Sequence, residues 1–207
     1  MRRRNHRKSQ RGASAIEFAL SLLFWVPMIM GVSVTGLNLI RSLQVNQVCR
    51  DAAHMFAYGI DFADNGNKDL LLRTATGLNI TRTGGSGVVI LSRLMYVGAS
   101  ECTGAGLAAN AITCPNINKT VFTRRLVIGN SALRASVFGT PISSIVQSDG
   151  NITAANYLTK PSAVATNFTL MSLTGGQILF MAETFFASRD FDWNGVTADG
   201  EYARVFF

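Results

Sequence analysis

Histidine is nearly absent from this 207-residue chain, and charge of either sign is scarce. The two histidines, His6 and His54, are too few and too far apart for a His-based metal site. His54 lies on a helical stretch beside Asp51 and Met55, where a lone imidazole packs or faces water. No Gly-x-Ser-x-Gly elbow occurs, no Gly-Lys-Ser/Thr follows the "GGSG" at 84–87, and no Cys/His cluster has metal spacing. No pair of carboxylates is marked out by its setting. These gaps argue against an enzyme and against a resident cofactor. Only 15% of residues are charged, below the usual quarter, while 48% are hydrophobic.

The net charge of +7 would ordinarily suggest nucleic acid as a partner, but its placement argues against that. Arg2, Arg3, Arg4, Arg7, Lys8 and Arg11 supply six basic charges before residue 12. Residues 13–207 then carry 13 basic against 12 acidic side chains. The basicity belongs to a leader and not to a binding face.

What the chain does have is a long apolar run. From Phe18 to Ile40 there is no Asp, Glu, Lys, Arg or His. As a helix this segment measures about 35 Å, enough for a hydrocarbon core of about 30 Å with some tilt. It is too long for the h-region of an ordinary signal peptide, although the small residues around Val32–Gly36 leave signal-peptidase cleavage there as an alternative. Pro27 should kink the helix or release part of its backbone bonding, which membrane helices tolerate. Six cations before the span, against Arg41 after it, place the N-terminus on the cytoplasmic side.

Beyond the span, Val45, Val48, Cys49, Ala52, Met55 and Phe56 form an apolar stripe at helical spacing, and Gly59 is a stop. The expected organisation is a leader at 1–12 and a long helix at 13–59. The helix spans the membrane at about 18–40 and is amphipathic at 41–59. An extracytoplasmic domain at 60–207 follows. In that domain a short helix is expected over 67–79, ending near Gly77. Strands are expected over 88–98, 121–129 and 177–188 and in the closing "EYARVFF". Residues 130–176, rich in Ser, Thr, Asn and Gly, are poorly informative. Strands separated by turns favour an antiparallel sheet, so the fold class is α+β, with the long helix packed on one sheet face.

Cys102 and Cys114 flank the small, loop-like segment "TGAGLAANAIT". In an oxidising compartment they form a disulfide worth about 3 kcal/mol. Cys49 falls on the helix without an evident partner and is expected to be a buried thiol. Asp190-Phe191-Asp192-Trp193-Asn194-Gly195, with Glu201 as the twelfth residue, has the oxygen pattern of a calcium loop. Phe191 and Trp193 are bulky and no helix pattern precedes them, so the segment is read as a solvated turn. The four Asn-x-Thr sequons at Asn79, Asn118, Asn151 and Asn167 would matter only in a eukaryotic secretory pathway, which the leader argues against.

"RGASAIEFAL" carries the most specific signal. A basic leader, Gly12, and Glu17 at the fifth position after it, opening an apolar helix, resemble the processing site of type IV prepilins. Phe18-Ala19-Leu20 extends the likeness to the openings of TadE-like minor pilins of tight-adherence pilus systems. The strong part of the resemblance covers about residues 8–58. "ILFMAETFF" looks like the late strand of those proteins, with its acidic residue among aromatics. One departure is Pro27, which lies further from the glutamate than the proline usual in such openings. The resemblance implies cleavage between Gly12 and Ala13 by a prepilin peptidase, with methylation of the new amine. It further implies partners among other pilin subunits and the inner-membrane assembly machinery, besides the lipid bilayer. Glu17 and Phe18 would set the register between subunits. The competing reading is an uncleaved, single-pass anchor carrying a binding or sensory module.

Overall fold

The computed structural model describes residues 10–169, 171–187 and 200–207. By contacts the chain divides into two units, residues 1–40 and 41–207. Helix α1, Gln10–Ala57, belongs to both.

In the first unit α1 is a bare apolar helix, long and hydrophobic enough to cross a membrane, and none of its most apolar window is buried. Helical assignment continues through Pro27, whose missing N–H leaves the Leu23 carbonyl without its usual donor. The hydroxyls along this segment are absorbed by the helix itself. Ser21 Oγ donates to the Glu17 carbonyl at 2.9 Å, Ser33 Oγ to Ile29 at 2.8 Å, and Thr35 Oγ1 to Gly31 at 2.9 Å. Back-bonding of this kind lets Ser and Thr enter an apolar medium without an orphaned donor.

In the second unit α1 becomes a core element. Val45, Val48, Cys49, Ala52, Ala53 and Phe56 are buried, a stripe stepping by three and four residues. Met55, expected in that stripe, is half-buried and packs at its margin, and Ala53 takes the inner position. The helix ends as Gly59 predicts. Gly59 adopts φ +86°, its N–H reaches Phe56 O at 3.1 Å, and the Ile60 N–H reaches Met55 O at 3.0 Å, a Schellman closure.

Helix α2, Asn65–Thr74, starts where Asp64 accepts from the Gly66 N–H and ends before the expected Gly77. Four strands follow: β1 Gly87–Tyr96, β2 Thr120–Gly129, β3 Ile178–Phe186 and β4 Glu201–Phe206. They form one antiparallel sheet in the order β2-β1-β3-β4. The α+β architecture expected from the sequence is therefore the one observed.

The sheet's first face holds Val89, Leu91, Leu126, Ile128, Ala182 and Ala203, which pack on the inner stripe of α1 and on Leu71 of α2. Its second face is covered as well. β2 and β3 both flank β1 antiparallel, so they run parallel to each other, and their connection must cross over the sheet. Residues 130–177 make that crossover. Phe138, Ile145, Ile152 and Ala163 pack on Phe122, Leu94, Leu179 and Met181. This segment, opaque in the sequence, is the third layer. It uses little regular structure, chiefly helix α4 over Ala154–Thr159 and two short 3-10 turns. Between β1 and β2, helix α3 over Ala99–Gly104 leads into the loop closed by Cys102–Cys114.

Candidate processing and assembly site

Gly12, Ala13, Glu17 and Phe18 all lie on α1, which begins at Gln10 and so runs through the expected cleavage position. Gly12 and Glu17 are exposed, and Phe18 is 66% exposed. A Cβ placed on Gly12 would meet nothing within 4 Å. Glycine costs a helix about 1 kcal/mol relative to alanine. Among the described residues no packing contact requires a glycine at position 12.

From Ile16 to Leu43 the large apolar side chains are exposed almost without interruption, including Phe24 at 74% and Leu23 at 68%. Such a surface belongs in lipid or against other apolar helices. Glu17 is the sole carboxylate between Gln10 and Arg50. The four expected residues thus lie together on the opening turns of α1, at the start of the apolar run.

The other cysteine expectations are met. Cys102 and Cys114 are joined, with Cα atoms 6.1 Å apart, and both are buried. Cys49 is a free buried thiol that donates to the Ala182 carbonyl at 3.3 Å. Burial pushes this thiol up to about 11. His54 packs among rings: its own ring lies 4.2 Å from the Phe207 ring and stacks on Tyr58. Most of the 190–201 oxygen pattern lies outside the described residues.

A polar cluster under the crossover layer was not foreseen. Glu183 of β3 is 1% exposed. Its Oε2 accepts from Ser136 Oγ, and its Oε1 accepts from the Val137 N–H at 3.1 Å and the Tyr202 hydroxyl at 2.7 Å. Burial, then the hydrogen bond to Glu183 and its charge, raises the Tyr202 phenol well above its ordinary range. On the same face Arg125 donates to Ser92 Oγ at 2.9 Å, and burial lowers its guanidinium to about 10. The signal was a lone carboxylate of inward parity in the apolar "ILFMAETFF". Its partners come from a segment with no readable pattern.

No protein-family model, no curated protein and no solved structure matches this chain. The likeness to prepilin openings therefore stands on residues 8–58 themselves.

Proposed function

We propose that the chain is a minor pilin or pseudopilin of the TadE-like type, a structural subunit in the assembly or priming of a tight-adherence, type IV-like pilus. The observation that carries this reading is the start of α1. An exposed apolar helix opens with one carboxylate, Glu17, five residues after a glycine that no packing among the described residues requires. A prepilin peptidase in the inner membrane cuts after Gly12 and discards the basic leader. The span then holds the subunit in the bilayer with its domain outside the cytoplasm, and helices bundle through their apolar surfaces.

The new amine of Ala13 on one subunit meets Glu17 of a neighbour. An isolated ionised carboxylate toward the centre of a bilayer costs about 2.5–3.5 kcal/mol even on insertion scales, and less near the interface. Pairing offsets that cost in one register only, so Glu17 serves register more than stability.

Glu17→Gln separates this reading from an uncleaved anchor. With the peptidase and partner pilins present, the variant should insert and fold as the parent does and yet fail to assemble, by cross-linking in membranes. Assembly at parental levels would remove the role given to Glu17.

A further inference from the structure

The two edges of the sheet differ. The outward backbone of β2 is paired by the chain's own crossover segment. The Arg125 N–H donates to Gly150 O at 2.8 Å, the Ile152 N–H to Thr123 O at 2.9 Å, and the Ala165 N–H to Thr120 O at 2.9 Å. Just past β4, the Phe207 N–H donates to Phe180 O and the Phe180 N–H to Phe207 O, both at 2.8 Å, and this reciprocal pair fixes the alternation. Glu201, Ala203 and Val205 turn their backbone groups to β3, while Tyr202, Arg204 and Phe206 turn theirs away. Among the described residues no group bonds those outward amides and carbonyls.

A second observation lies beside that edge, on the sheet's second face. Arg134 of the crossover segment sits 4.3 Å over the Tyr202 ring and 5.2 Å from the Phe185 ring, and Arg204 sits 5.7 Å from the Phe138 ring centroid. Neither guanidinium has a carboxylate within ion-pair distance among the described residues. The nearby Glu183 is committed to Ser136, Val137 and Tyr202.

We propose that the outer edge of β4 takes an extended acidic segment of a different protein as a fifth strand. Unpaired edge backbone is a template for strand addition, and side chains on the edge select the partner. A second copy is a poor fit. Head-to-tail continuation needs the β2 edge, which residues 150–152 and 164–165 already occupy. A β4 pair with its twin centred on Arg204 sets that cation against its own copy, with Arg134 and its copy nearby, and like charges across strands destabilise. Carboxylates on the incoming strand would pair with both.

The proposal does not depend on cleavage after Gly12. It is tested by residue-resolved amide hydrogen exchange on the full chain, once purified in nanodiscs and once in native membranes. Ala203 and Val205 should be protected in both. Tyr202, Arg204 and Phe206 should exchange freely in nanodiscs at any protein concentration and at least about tenfold more slowly in native membranes. Arg204→Gln, which removes the cation without setting a carboxylate opposite Glu183, should abolish most of that added protection while Ala203 and Val205 stay protected. Protection already present in nanodiscs would mean that the chain or its twin covers the edge. That result, equal exchange in the two settings, or full protection that survives Arg204→Gln would each overturn the proposal. The N-terminal sequence of the same sample reads the processing step independently.

Discussion

Glu183 is the one carboxylate buried among the described residues, and three donors converge on it. Its hydrogen bonds join β3 to β4 and to the start of the crossover segment. Glu183→Gln keeps the shape but turns an amide donor toward groups that are themselves donors. The variant should lose about 2–3 kcal/mol, read as a fall in the urea midpoint at constant slope.

Cys49 gives a pH prediction of definite sign. Its thiol is held up to about 11 in the folded state, against an ordinary value of 9.0. Between those values the folded chain keeps a proton that the unfolded chain has lost. Stability from this group is therefore complete below about pH 9 and is lost as pH rises toward about 11, on the order of 2 kcal/mol in all. Cys49→Ala should be less stable at neutral pH yet lack this alkaline decline. Urea titrations at pH 8 and 10.5 on both proteins test it.

At the scale of elements, the long helix, its glycine stop, the four strands and the disulfide were legible in the sequence, because each rests on a local pattern. Gly59 works because only glycine adopts φ +86° at little cost; Gly59→Ala should cost about 1 kcal/mol. Replacing both Cys102 and Cys114 with serine should cost about 3 kcal/mol and expose the loop at 103–113 to protease. The second covered face was not read. The run Val88-Val89-Ile90-Leu91 has no polar alternation, which is the mark of a strand buried on both sides, and it pointed to a layer the sequence could not locate. That layer, residues 130–177, folds by long-range contacts with β1, β2 and β3, so no local periodicity announces it. The polar cluster was hidden for the same reason. Ser136 and Val137 reach Glu183 across almost fifty residues of chain.

For the whole molecule, the two units are suited to different surroundings. Residues 41–207 bury their apolar side chains on both faces of a sheet and close their one described disulfide. The span does the opposite and presents nearly every large side chain outward. So large an apolar surface suits lipid or other apolar helices. The proposed cleavage would account for Gly12 and the proposed pairing between subunits for Glu17, and the cleavage is the central claim. The most direct measurement is the intact mass and N-terminal sequence of the protein recovered from native membranes. A chain beginning at Ala13 is the predicted result. A chain still carrying Arg2 through Gly12 would contradict the account and leave an anchored domain that no peptidase has touched.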